Sequence, residues 1–253
     1  MFERVIVKTP SNSYVEGLTT SDLGTPNLEE ALVQHEAYVR ALRKCGVEVT
    51  HLQPNEQFPD STFVEDTAVL TKEFAVITNP GTPSREKETV EMRPVIERFY
   101  QKVYTIESPA ALDGGDVLQV ENAFFIGISD RTNEAGAEQL KSILESEGYE
   151  ATIIPLQQFF HLKTGISYVG KNQLVVAGEF IEHPAFASYD KIIIPQEDEY
   201  SANCIWVNDY VIIPAGYANT KAALEERGHQ VIEVEMSEFR KQDGGLSCLS
   251  LRF

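Results

Sequence analysis

The chain predicts an α/β fold built as a closed ring of five ββαβ units. Three observations carry this. First, four segments read as two β-rich runs separated by a short polar pair. Second, Phe74, Phe124 and Leu174, in the second runs of the first three, stand 50 residues apart, and Val211 follows after 37. Third, the two chain ends hold the strand-like runs that a fifth unit would need. Closing the ring leaves few sheet edges exposed, which makes it the economical arrangement.

The four hairpins are Asp66–Leu70 with Phe74–Thr78, Asp116–Val120 with Ala123–Ile128, Ile166–Val169 with Leu174–Ala177, and Cys204–Val207 with Tyr210–Ile213. Their connections are Lys72-Glu73, Glu121-Asn122, Lys171-Asn172 and Asn208-Asp209. Helical periodicity follows most of them. Glu86–Lys102 places Val90, Met92, Val95, Ile96 and Phe99 largely on one face, and Thr132–Glu147 has Asn133 as cap with a stripe through Leu140, Ile143 and Leu144. Asn219–Arg227 is a third helix, and the piece around Pro184–Tyr189 is short. Strand-like runs close the units at Val103–Ile106, Ala151–Ile154, Lys191–Ile194 and Gln230–Val234. The helix Asn27–Lys44, ending in Val47–Leu52, lacks a hairpin; Phe2–Lys8 paired with Ser247–Phe253 supplies one. The expectation is one domain over residues 1–253.

Composition limits the function. A chain of 253 residues buries roughly 70–75% of its unfolded surface and needs no staples. Cys45, Cys204 and Cys248 form an odd, widely spaced set, which argues for a reducing compartment, and Met1-Phe2-Glu3-Arg4-Val5 lacks a signal-peptide pattern. A cytoplasmic protein that neither spans nor anchors to a membrane is expected. The formal charge of −18 disfavours nucleic acid and would concentrate a small cation. His35, His51, His161, His183 and His229 are scattered without metal-ligand spacing, so neither a metal nor another cofactor is expected. The oligomeric state stays open, with a homodimer as a candidate.

In such a ring the loops before the first strand of each unit meet at the centre, and the polar residues sit on those loops. They are Asp60, Glu65 and Asp66; Asp113 and Asp116; His161; Asn203; and Gly244-Gly245-Leu246-Ser247-Cys248. A thiol, an imidazole and carboxylates from different units are the parts of covalent catalysis. Several carboxylates would raise a thiol's pKa and so suit a thiol protease poorly, but they match the planar donor fork of a guanidinium.

With these residues assembled, the chain resembles the dimethylarginine dimethylaminohydrolases of the guanidine-modifying, or pentein, superfamily. The resemblance runs from Lys8-Thr9-Pro10 through Phe58-Pro59-Asp60, Phe63-Val64-Glu65-Asp66, Gly114-Gly115-Asp116, His161-Leu162-Lys163-Thr164-Gly165 and Asn203-Cys204-Ile205-Trp206-Val207-Asn208 to Gly244-Gly245 before Cys248. It implies a five-bladed α/β propeller and hydrolysis of asymmetric dimethylarginine or monomethylarginine to citrulline. Cys248 would be the nucleophile, His161 the general acid and base, and Asp113 the carboxylate orienting His161 or the guanidinium. Phe63 belongs to the substrate motif. Asp60, Glu65 and Asp66 match substrate-facing carboxylates, and Arg85 and Arg131 match the pair that holds an α-carboxylate. Leu18 and Gln242 would offer backbone carbonyls to the α-ammonium. Ser11–Pro26, with Gly17 and Gly24 around Leu18, is the candidate lid. The rivals are an arginine or agmatine deiminase, an amidinotransferase, and a non-catalytic propeller that would need no Cys248.

Overall fold

The computed structural model describes residues 1–253 as five three-stranded sheets. In chain order the strands are β1 (Arg4–Lys8), β2 (Glu48–Leu52), β3 (Ala68–Leu70), β4 (Ala75–Ile77), β5 (Val103–Thr105), β6 (Val117–Val120), β7 (Ala123–Ile128) and β8 (Glu150–Pro155). They continue as β9 (Ile166–Tyr168), β10 (Gln173–Val176), β11 (Asp190–Ile193), β12 (Ile205–Val207), β13 (Tyr210–Pro214), β14 (Gln230–Val234) and β15 (Leu251–Arg252). Every sheet has one plan: an inner strand runs antiparallel to the middle one, which runs parallel to an outer one. The five inner strands are β3, β6, β9, β12 and β15. The first blade joins both chain ends, with Val5 opposite Arg252 and Ile6 opposite Leu251. The five-unit ring read from the sequence is therefore the observed architecture.

Local chemistry explains the elements. Lys171 and Asn172 both take positive φ, 55° and 60°, the type I′ geometry that matches the twist of hairpin strands. Helix α1 (Leu28–Lys44) starts where Asn27 accepts a bond from Glu30 N–H, and α3 (Glu134–Ser146) where Asn133 accepts one from Gly136 N–H. Cross-over helices cover the parallel pairs, and buried clusters fill the spaces between blades, such as Val69, Phe74, Leu112, Phe124, Ile126 and Leu140.

Two expectations need correction. Helix α2 covers only Glu88–Ile96 of the expected Glu86–Lys102, and Val90 is exposed. Pro94 cannot donate to the Val90 carbonyl, and beyond Ile96 the chain tightens into i→i−3 bonds from Arg98 and Phe99. At the C-terminal end, Ser247–Leu249 is a 3-10 turn and only Leu251–Arg252 is strand. Cys248 thus sits on a helical turn ahead of the strand. No helix is long and apolar enough to cross a membrane.

Candidate active site

Each inner strand is preceded by one short helical turn: Val64–Thr67, Gly114–Asp116, α4 (Leu162–Gly165), Gln196–Ala202 and Ser247–Leu249. These turns converge on the ring axis and touch one another. At their front is a pocket of about 210 Å³ lined by Asp60, Phe63, Asp66, Arg85, Asp113, Arg131, His161, Gln242 and Cys248, with Leu18 from the lid segment. Ten of the expected site residues therefore share one cavity. Thr19, Thr20, Phe160, Asp243 and Gly244 join them without having been singled out as site residues. Asp243 and Phe160 stood beside quoted motifs, and only their neighbours' chemistry could have drawn attention to them.

His161 caps α4, and its Nε2 lies 3.2 Å from Asp113 Oδ2. Burial alone would lower its pKa, but Asp116, Asp66 and Asp113 outweigh that and raise it to about 9. The imidazole is therefore protonated at neutral pH. Asp116 is fully buried beneath it, accepting from Leu162 N–H (2.9 Å), Ser129 Oγ (2.6 Å) and Thr132 Oγ1 (2.7 Å). Gly115 leaves space for this stack: a Cβ there would stand 2.5 Å from His161 Nδ1. The Gly115 N–H also donates to Asp66 Oδ1 at 2.9 Å.

Cys248 is partly exposed, its Sγ accepting a weak bond from Gly245 N–H at 3.5 Å. Burial, then Glu65 and Asp66, push its thiol up to about 12. The unliganded pair is thus thiol and imidazolium; the neutral thiol accords with the carboxylate-rich loops read from the sequence. Asn203 fixes the turn from behind: its Oδ1 accepts from Ser247 N–H (2.9 Å), and its Nδ2 donates to Ser247 Oγ (3.1 Å) and Lys163 O (3.0 Å).

The two arginines differ. The Arg85 guanidinium is buried and largely committed, with Nη1 2.5 Å from Asp66 Oδ2, Nη2 2.8 Å from Glu88 Oε2 and 2.9 Å from Phe63 O. Burial disfavours its charge, but Glu88 and Asp66 hold it protonated, and Arg85 in turn keeps Asp66 ionised below its usual range despite burial. Arg131 has no carboxylate partner and lies over the Phe160 ring, 5.0 Å from its centroid. It is the guanidinium left free for an anion.

Around the lid, Leu18 N–H donates to Asp60 Oδ1 at 2.9 Å. Burial raises the Asp60 pKa, only partly offset by Arg85 and that bond. Asp243 Oδ2 accepts from Thr20 N–H (2.5 Å), Thr20 Oγ1 (3.0 Å) and Thr19 Oγ1 (3.2 Å), which ties the candidate lid segment to the turn before Cys248. The Gln242 side chain is turned to the lid backbone, donating to Tyr14 O at 3.2 Å.

Glu65 departs from the expectation of a substrate-facing carboxylate. It lies outside the pocket and receives Lys163 Nζ (2.6 Å), Arg252 Nη2 (3.2 Å) and Ser247 Oγ (2.7 Å). Adjacent residues on this turn face opposite ways, so only Asp66 reaches the front. Asp66, Asp113 and His161 place their polar atoms within 4.8 Å of one another, but a protonated His161 has no lone pair to offer a metal ion.

A five-bladed ring with a thiol, an imidazolium and carboxylates at its axis defines a guanidine-modifying enzyme site. The model of the eukaryotic N,N dimethylarginine dimethylhydrolase family matches residues 10–250, and the chain belongs to that family. It is 49% identical to the N(G),N(G)-dimethylarginine dimethylaminohydrolase of Pseudomonas aeruginosa over the full length of both chains. It is 31% identical to that of Streptomyces coelicolor, over 99% of this chain and 96% of the other. The crystal structure of a cysteine-to-serine mutant of the Pseudomonas aeruginosa enzyme complexed with citrulline superposes with a TM-score of 0.99, at 48% identity and covering all of both chains. The N-terminal domain of ArgZ, a cyanobacterial arginine dihydrolase, shares the fold, with a TM-score of 0.89 at 20% identity over 100% of this chain and 97% of that one.

Proposed function

We infer that this chain hydrolyses Nω-methylated L-arginines to citrulline and the methylated amine. One observation carries the reading: the pocket is acidic at the Cys248–His161 end and holds an unpaired guanidinium, Arg131, within the same walls. That distribution fits an amino acid with a cationic side chain. Asp66 and Asp113 would receive the guanidinium, and Arg131 the α-carboxylate, with Asp60 and the carbonyls of Leu18 and Gln242 near the α-ammonium. Arg85 would act mainly by keeping Asp66 ionised.

The chemistry follows from the charge states. An arriving guanidinium favours Cys248 thiolate, releasing the thiol proton to solvent. Sulfur attacks the guanidinium carbon, and imidazolium His161 gives its proton to the departing amine. Neutral His161 then takes one proton from water, whose oxygen attacks the thiouronium carbon; the C–S bond breaks as the remaining hydroxyl proton passes to solvent, giving citrulline and thiolate. Asp116 and Asp113 hold His161 in the protonated form that the first step needs. Three free thiols also fit a reducing compartment such as the cytoplasm.

Acid quenching with asymmetric dimethylarginine, followed by intact mass, tests this. An adduct on Cys248, with dimethylamine released in preference to ammonia from arginine, is expected. An active Cys248→Ala variant would overturn the mechanism, and ammonia release alone would point to a deiminase.

A further inference from the structure

Behind the front turns, the five inner strands enclose a second and larger chamber of about 480 Å³. Its floor is the reverse of the reaction site. Glu65, Lys163 and Ser247 stand one or two positions from Asp66, His161 and Cys248, and with Arg252 they separate the two cavities. Its walls are largely apolar, including Val69, Leu118, Phe124, Tyr168 and Trp206. Trp206 stands edge-on to Tyr168 with centroids 5.7 Å apart.

The charge balance is reversed relative to the chain, which carries −18. Lys72, Lys163 and Arg252 face the chamber against Glu65 and Glu121. The Glu65 carboxylate is already met by Lys163, Arg252 and Ser247. Arg252 is largely committed, with Nη1 on Ser250 Oγ (2.7 Å) and on the Ser247 and Ser250 carbonyls. Lys163 Nζ makes one hydrogen bond, to Glu65, so two of its three donors are free, and its side chain is 13% exposed. A cation with spare donors at the base of a mostly apolar cavity, in the size range that holds small organic molecules, selects a particular ligand chemistry.

We propose that this rear chamber binds a small organic carboxylate with an apolar body, its carboxylate on Lys163 Nζ and its body against Tyr168 and Trp206. This assignment is independent of the reaction at the front pocket.

Trp206 is the chain's single tryptophan, so its fluorescence reports occupancy directly. The probe is 4-phenylbutanoate, compared with 4-phenylbutanol and 4-phenylbutylamine on the wild-type protein. The carboxylate should give a saturable emission change and bind at least about tenfold more tightly than either analogue, as a charge-assisted bond requires. Lys163→Met should abolish that preference. Because Lys163 also supports buried Glu65, Gln119→Glu is the second variant; it places a negative charge on the wall at an exposed strand position and should weaken the carboxylate while favouring the amine. Arg131→Met should leave the titration unchanged. No saturable change, equal binding of all three probes, or loss of binding in Arg131→Met would overturn the proposal.

Discussion

Cys248 and His161 lie in the same pocket as a neutral thiol beside an imidazolium, differing from a resting thiolate–imidazolium pair at the sulfur alone. Burial and two carboxylates keep the thiol neutral, and three carboxylates keep the imidazole charged. In the proposed reaction the acid form of His161 is the one that amine departure needs, and it is lost as pH rises through about 9. The pH profile of kcat/KM should therefore show an alkaline limb near 9 reporting the free enzyme. A limb near the ordinary histidine value would contradict the role given to Asp116. These states were partly legible in the sequence, because the carboxylate-rich loops were visible. That Asp116 stands directly beneath the ring was not, since its contacts come from Leu162, Ser129 and Thr132.

The short turns before the inner strands depend on backbone close approach. At Gly115 an added Cβ would meet His161 Nδ1 at 2.5 Å and Asp66 Oδ1 at 3.0 Å. Gly115→Ala should therefore lower kcat by about 100-fold or more, as displacement of a catalytic group by about 1 Å does, with an unchanged far-ultraviolet spectrum. Steady-state kinetics on the folded variant check this. The Gly-Gly-Asp run stood out as a motif, but its reason, room for an imidazole, came from another blade. Helix α1 carries a different liability. His35 is buried with its Nε2 unpartnered, 5.5 Å from the His51 ring. Burial, then His51, lower its pKa from 6.5 to about 4. The fold binds fewer protons there than the unfolded chain, so His35's contribution is complete above 6.5 and is lost as pH falls through about 4. It is worth on the order of 3 kcal/mol. His35→Leu should flatten the fall in thermal midpoint between those pH values, as followed by scanning calorimetry.

Ring closure rests on side chains as well as strands. Asn208, in the turn between β12 and β13, accepts from Phe2 N–H (2.8 Å) and donates to Phe2 O (3.0 Å) and Cys45 O (2.9 Å), joining the last hairpin to the first blade. It also takes φ of 55°, which asparagine tolerates better than alanine. Asn208→Ala should cost about 2–4 kcal/mol, from lost bonds plus strain, and lower the melting temperature by about 5–12 °C. Urea unfolding measures the free energy. A neutral outcome would mean that strand pairing alone closes the ring.

Hairpin spacing, helix caps and the acidic, thiol-bearing loops were all readable along the chain, because turn chemistry and hydrophobic periodicity are local. They led to five units, a closed ring and the right set of loops at its axis. Which side chains on those loops face the pocket was decided only by the folded arrangement. Glu65 and Asp66 are neighbours, yet one faces the rear chamber and the other the pocket. Arg85 and Arg131 read alike, yet one is saturated by Asp66 and Glu88 and the other is free. The reason is physical: a buried charge takes its orientation and protonation from partners that distant segments supply, and no local pattern encodes those partners.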